Sequence, residues 1–271
     1  MFSTFHVFIL CIVLAIAYRP TNSGDFQRNN KTELQRVLLV TAHPDDECLF
    51  FAPTILGLTS HNQENFFSLC LSIGDADGLG HIRREEYDKS LDVLGISKAN
   101  RMVLDDPSLK DGMDNFWDPH YIADVVAEFV ALHNITTILT FDGDGVSGHP
   151  NHKAIPYGIQ HMISTYPFSL LQNSTSKNDS VMHGIALWLG RFIFEPFGWR
   201  SFIQASQDKH KATPVFVAGI ENYLVALRAM RQHWSQLVWF RWLNVLFSSY
   251  MWVNRWGEVI VDAAPIPGDY T

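Results

Sequence analysis

The stretch RVLLVTAHPDDE, from Arg36 to Glu47, decides how the rest of the chain is read. Its first half, Arg36 to Thr41, is an almost unbroken run of Val and Leu. A run that short and that apolar suits a strand buried on both faces, as in parallel sheets covered by helices on either side. The second half changes character within a residue. His43 arrives where the strand ends, and Pro44 stiffens the turn. Asp45, Asp46 and Glu47 then fall at the start of a predicted helix, about Asp46 to Leu58, where the helix dipole favours anions. Imidazole and carboxylates directly after a buried strand belong at the carboxyl edge of a sheet, where α/β folds build their sites.

The alternation continues outward from this stretch. Phe66 to Ile73 reads as a second strand, followed by a loop from Gly74 to Gly78. Ile82 to Leu94 has helical periodicity, with Gly95 placed as a C-cap glycine. Met102 to Leu104 is a short strand, Tyr121 to His133 a helix, and Thr137 to Phe141 a strand. The spacing predicts an α/β fold: a Rossmann-like, mostly parallel sheet with helices on both faces, in a single domain. Beyond His152 the pattern weakens. Gln172 to Asp179 reads as a polar surface loop, Ala186 to Leu189 and Val215 to Val217 as late strands, and Ile220 to Met230 as a helix. The organisation is an apolar N-terminal segment over 1–18, an α/β domain over 36–235 and an aromatic C-terminal segment over 236–271, with no internal repeat.

Composition narrows the class of function. Hydrophobic residues make up 47% of the 271-residue chain and charged residues 18%, which supplies a large core and excludes global disorder. A formal net charge of -8 argues against nucleic acid as a partner, since phosphate backbones call for a basic face. The three cysteines, Cys11, Cys48 and Cys70, have no framework spacing; Cys48 and Cys70 read as reduced core thiols.

Met1 to Tyr18 is nearly all apolar and lacks Lys and Arg, whereas Arg19, Arg28 and Lys31 follow it. Basic residues after an apolar run favour keeping the downstream side cytoplasmic, so the segment reads as an uncleaved single-pass anchor with the remaining chain in the cytosol. Ala15-Ile16-Ala17 resembles a cleavage site, which makes a cleaved signal the rival reading. Four glycosylation sequons begin at Asn30, Asn134, Asn173 and Asn178, and would be used only in a lumenal protein.

A second polar cluster, Gly148-His149-Pro150-Asn151-His152, follows the strand ending at Phe141. In a chain with 12 His, one HxxH is weak evidence. Two clusters at predicted strand ends would, however, meet on one rim. Together they supply two imidazoles and a carboxylate for a divalent metal, a set that catalytic zinc uses with a water in the fourth position. Such a metal lowers the pKa of its water to about 7. Asp45, beside the ligands, can take the water's proton. His149 can help hold the oxyanion or protonate the departing amine. Amide hydrolysis then needs no Ser or Cys nucleophile.

At these residues the sequence resembles the N-acetylglucosaminyl-phosphatidylinositol de-N-acetylase family of zinc-dependent amino-sugar deacetylases. The matching segments are AHPDDE (Ala42 to Glu47), Gly80, Arg83 and Glu86 as GxxRxxE, DVLGI (Asp92 to Ile96) and TFDGDGVSGHPNH (Thr140 to His152). A fifth, Ala229 to Asn254, resembles the C-terminal segment of the eukaryotic endoplasmic-reticulum members. The resemblance implies zinc, or another divalent metal, on His43, Asp46 and His152, with Asp45 as general base and His149 near the oxyanion. It implies a catalytic face on the cytosolic side of the endoplasmic reticulum membrane. The implied reaction is removal of acetate from N-acetylglucosaminyl-phosphatidylinositol, the second step of glycosylphosphatidylinositol anchor synthesis. Asn151 stands where an Asp is common in the wider family, which alters a charge beside the metal site and leaves the ligands intact.

Three further readings stay open in the sequence. Arg83 either reaches the substrate with its guanidinium fork or pairs with Glu85 or Glu86 along a helix. Asp142, like Asp75 and Asp77, either binds sugar hydroxyls or makes a turn. Leu237 to Val253 is apolar and carries Trp239, Trp242, Tyr250 and Trp252, so it is either a core helix or an interfacial helix that serves a lipid-linked substrate. A deacetylase of a soluble amino sugar, a noncatalytic membrane-tethered scaffold and a nucleotide-binding module are the competing functions. The last ranks lowest, because Gly74 to Gly80 follows neither phosphate-loop spacing.

Overall fold

The computed structural model describes residues 35–60, 63–166, 186–190 and 214–259. The N-terminal segment over 1–18, the sequons at Asn30, Asn173 and Asn178 and the polar stretch Gln172 to Asp179 lie outside the described residues. Strand β1 (Val37–Thr41) is buried at every position, as its composition requires. It lies between β2 (Phe66–Cys70) and β4 (Thr137–Phe141), parallel to both, with Val37 opposite Phe66 on one side and Thr137 on the other. Strands β3 (Arg101–Val103) and β5 (Ala186–Gly190) extend the parallel sheet outward. Strand β7 (Val253–Val259) joins antiparallel to β5, and β6 (Val215–Val217) pairs antiparallel with β7. The order is β3-β2-β1-β4-β5-β7-β6.

Helices α1 (Asp46–Phe50), α2 (Ala52–Thr59) and α3 (Gly80–Leu94) connect β1 to β2 and β2 to β3. Helices α4 (Pro119–His133) and α5 (Pro150–Thr165) lead into β4 and β5 in the opposite direction along the sheet. Right-handed crossovers therefore put the two groups on opposite faces. Helix α6 (Ile220–Met230) joins the first layer, against α1, α2 and α3. The α4–α5 contact is close because Gly158 lacks a side chain: a Cβ there would lie 2.5 Å from Ile122. Around it Ile122, Val126, Ile155, Ile159 and Met162 are fully buried, each contributing about 1.5–3 kcal/mol of burial free energy.

Local sequence explains where the elements depart from expectation. The first predicted helix breaks at Phe51, whose φ of -121° is not helical. Helix α5 was not expected; Pro156 and Gly158 inside it hide its periodicity. Strand β7 was not expected either, and it carries part of the aromatic C-terminal segment into the main sheet. Cys48 and Cys70 are buried free thiols, and burial pushes both well above their ordinary pKa.

The chain leaves β1 toward β2 and leaves the adjacent β4 toward β5, so the two connections run in opposite directions from neighbouring strand ends. That divergence opens a crevice, the usual position of a site in open α/β sheets. His43 follows β1, and residues 142–152 follow β4.

Candidate metal centre and active site

Asp46 is folded back onto the end of β1. Its Oδ2 accepts from the backbone N–H of Ala42 at 3.0 Å and of His43 at 2.8 Å. Its Oδ1 lies 3.3 Å from Nε2 of His152. Burial works against the carboxylate, but the neighbouring His152 and His43 outweigh it and hold Asp46 well below the usual carboxylate range. Asp45 is strained where Asp46 is regular, with φ at 112°. Aspartate tolerates the left-handed region better than most residues, and such outliers concentrate at functional sites. Glu47 pins this conformation by accepting from the Asp45 N–H at 3.0 Å.

The second half of the crevice comes from the start of α5. His149 is the N-cap, its Nδ1 accepting from the Asn151 N–H at 3.3 Å, and Pro150 takes the first helical position, where its missing N–H costs nothing. Because Nδ1 accepts, the neutral ring carries its proton on Nε2. Burial, then the nearby His43 and His152, lower the His149 pKa to about 4, so this ring is neutral at pH 7. One turn in, His152 stacks on Phe141 with centroids 4.3 Å apart.

His152 is the residue that tests the site for a metal. It is buried, and among the described residues neither ring nitrogen makes a hydrogen bond, with Nε2 facing only the Asp46 carboxylate at 3.3 Å. An orphaned buried imidazole is costly unless something else meets its lone pair. His43, Asp46 and His152 each offer a ligand atom within 4.8 Å of the others, so the donor set suits a divalent cation. A second group, His43, Asp111 and His149, meets the same distance condition. Its Asp111, however, is already engaged by both oxygens. Asp111 Oδ1 is 3.0 Å from His43 Nε2, and its Oδ2 accepts from Arg83 at 3.2 Å. Burial opposes charge on Asp111, but the His43 hydrogen bond prevails and its pKa falls to about 2. Burial likewise opposes charge on His43, and the Asp111 hydrogen bond with the carboxylates of Asp46 and Asp111 raises its pKa overall.

Comparison with known proteins gives the family. Residues 38–163 match the family described as PIG-L: GlcNAc-PI de-N-acetylase. A Bos taurus N-acetylglucosaminyl-phosphatidylinositol de-N-acetylase is 38% identical over 219 residues, covering 81% of each chain. The chain belongs to the GlcNAc-PI de-N-acetylase family. A probable member from Schizosaccharomyces pombe is 32% identical over 240 residues, covering 89% of this chain and 93% of the relative. Among solved structures, the fold is similar to N,N'-diacetylchitobiose deacetylase from Pyrococcus horikoshii, with a TM-score of 0.61, 16% identity and coverage of 96% and 94%.

The GlcNAc-PI de-N-acetylase match ends at residue 163, yet later residues close the crevice. His233 is fully buried, and its Nε2 lies 2.7 Å from Glu47 Oε1, which also accepts from Ser90 Oγ at 2.6 Å. Glu86 accepts from the N–H of Ser235 at 2.8 Å and from its hydroxyl at 2.6 Å. Arg241 pairs with Oδ2 of Asp45. Burial raises the Asp45 pKa overall, against the opposing pull of Arg241. Arg241 lies on α7 (Trp239–Phe247), whose apolar side chains face outward. Trp239 is 75% exposed and Phe247 80%, with Phe240, Leu243 and Leu246 also exposed, while Val245 points into the core.

The structure brings His43, Asp45, Asp46, His149 and His152 to one rim. Arg83 takes neither partner that the sequence offered. It donates to the carbonyls of Gly74 at 2.7 Å and Pro44 at 2.9 Å and to Asp111, tying three loops together. Gly74, at φ +72°, leaves the room: a Cβ there would lie 2.5 Å from the guanidinium. Asp142 makes a turn, its Oδ1 accepting from the N–H groups of Asp144 at 3.2 Å and Gly145 at 3.0 Å. Asn151 has a use that an Asp could not meet, because its amide donates to the Asn115 carbonyl at 2.6 Å while its oxygen faces His43 Nε2 at 3.0 Å. Asp111, His233 and Arg241 escaped the sequence reading. Only Arg241 left a signal, as a charge inside an apolar run.

Proposed function

We propose that this chain hydrolyses the acetamide of N-acetylglucosaminyl-phosphatidylinositol to glucosaminyl-phosphatidylinositol and acetate, the second step of glycosylphosphatidylinositol anchor synthesis. The observation that carries the proposal is the buried ring of His152, which makes no hydrogen bond among the described residues, beside His43 and Asp46. In this reading those three residues hold zinc, for which two imidazoles and a carboxylate are an established catalytic set. When bound, zinc makes hydroxide available near neutral pH and polarises the amide carbonyl.

The chain's own groups supply the rest. Asp45 takes a proton from the attacking water, whose oxygen bonds to the acetyl carbon. As the C–N bond breaks, Asp45 returns that proton to the departing amine, and acetate and free amine leave. His149 offers its Nε2–H to the oxyanion of the tetrahedral intermediate, a role a neutral ring can fill. Arg83 holds the loop frame rather than the substrate, and Asp142 shapes the turn that delivers His149.

A lipid-linked substrate also needs a surface. Among the described residues no helix is long and apolar enough to cross a membrane. Helix α7 offers a different contact: its aromatic face is turned outward beside the site, the reverse of a helix packed in water, and Trp and Phe favour the interfacial zone. We place the enzyme at the cytosolic face of the endoplasmic reticulum membrane, with residues 1–18 as anchor and α7 lying on the bilayer. The test is metal analysis of purified protein together with acetate release from the glycolipid in vesicles. About one bound metal per chain and chelator-sensitive acetate release are expected. Metal-loaded protein that releases no acetate overturns the reading.

A further inference from the structure

Arg241 sits at a boundary. On one side its guanidinium meets Asp45, whose side chain is 4% exposed. On the other, Trp239, Phe240, Leu243 and Phe247 of the same helix are exposed to the surroundings. The Arg241 side chain itself is 29% exposed, and among the described residues it meets no acceptor other than Asp45. A planar guanidinium has five N–H donors, so pairing with one carboxylate oxygen leaves most of them for another anion. The cation that the sequence offered for this purpose, Arg83, is buried and occupied by two carbonyls and Asp111.

We propose that Arg241 recognises the phosphodiester of the glycolipid substrate; this rests on the deacetylase reading above. The linear order of the protein is metal ligands, Asp45, Arg241, apolar face of α7. The linear order of such a substrate is acetamido sugar, inositol, phosphodiester, acyl chains. With the acetamide at the metal ligands and the acyl chains at the apolar face, the phosphodiester falls where the guanidinium is. Arg is suited to this anion because its fork can meet two phosphate oxygens at once.

The experiment compares two water-soluble substrates, so that bilayer contact does not enter. One is N-acetylglucosaminyl-inositol; the other carries in addition a glycerophosphodiester on the inositol. Wild-type enzyme should favour the phosphodiester in kcat/KM by about 10- to 100-fold, the range of a charge-assisted hydrogen-bond pair. In Arg241→Ala that ratio should collapse toward one, with most of the loss in KM, and Arg241→Lys should keep part of it. Should Arg241→Ala be unstable, inhibition of the wild type and of Arg241→Lys by glycerophosphoinositol gives the same comparison, with weaker inhibition expected of the lysine form. An unchanged ratio in the variants, or no phosphodiester preference in the wild type, overturns the assignment while leaving the deacetylase reading intact. No acetate from either substrate or from the lipid overturns both.

Discussion

The two halves of the crevice are built on different principles. The rim made by β1, β4 and the start of α5 is held by short hydrogen bonds within a few residues of the chain, such as those from Ala42 and His43 to Asp46. The C-terminal wall reaches the same place from far along the sequence, through His233 to Glu47, Ser235 to Glu86 and Arg241 to Asp45. Both touch the AHPDDE turn, the first on its ligand side and the second on its base side. In the function proposed above, the first half is a donor set that could serve many amides, and the second would select which molecule reaches it.

This division can be broken at the rim first. His152→Ala should remove both metal and turnover, a loss greater than the roughly 10- to 100-fold that changes behind a ligand cause. Metal analysis and acetate assay on the same sample check it, and a variant that keeps one equivalent of metal would contradict the ligand set. Asp45→Asn should keep its metal and lose about 10²- to 10⁴-fold in turnover, the size of a general-base contribution. Asp111→Asn should be milder, about 10- to 100-fold in metal affinity or turnover, because Asp111 acts through His43. If it proved as damaging to metal content as His152→Ala, the His43, Asp111 and His149 group would be the metal site instead.

On the other wall the effects should be smaller and of another kind. Trp239→Ser with Phe247→Ser should weaken binding to vesicles by about 10-fold or more, from the apolar area lost, and leave turnover of a soluble substrate near normal. A vesicle sedimentation assay measures the first and acetate release the second. The smallest effect concerns pH. Burial lowers the His233 pKa, but Glu47 outweighs it and the net shift is upward. A raised folded-state pKa stabilises fully below the unfolded value near 6.5, and that stability is lost as pH rises through the folded value. Tm should therefore decline as pH climbs above neutral, and His233→Gln should flatten the slope. Parallel Tm curves for the two proteins would remove His233 from the account.

Much of the rim was legible because its information is local. A buried parallel strand is a Val/Leu run whatever surrounds it, and β1 and β4 show it. HPDDE and HPNH place their side chains by strand end, turn and helix start. Asp111 was not legible because it lies in a loop with Asp105, Asp106, Asp114 and Asp118. Nothing in sequence separates the one that meets His43 from its neighbours, since the choice is made by tertiary packing. Helix α5 was obscured by Pro156 and Gly158, residues that weaken a helix in isolation but here allow the close approach to Ile122. His233 lies in the turn past α6, just before the short 3-10 helix Trp234–Gln236, and only the docked fold shows it sealed against Glu47. The outward aromatic face of α7 was half legible: its composition was unusual, but which side faced the core depended on where Arg241 went.

The attachment of Asp46 to the end of β1 has a consequence for how the protein handles its ion. Two peptide N–H groups already orient that carboxylate, so in the proposed ligand set one donor is fixed before a cation arrives. In small zinc modules, by contrast, the ion itself drives the chain to fold. Stripping the ion from this enzyme should leave a folded apoprotein that can be refilled. Occupancy would then follow whichever divalent ion the compartment supplies, since a rigid cup of mixed nitrogen and oxygen donors discriminates weakly among them.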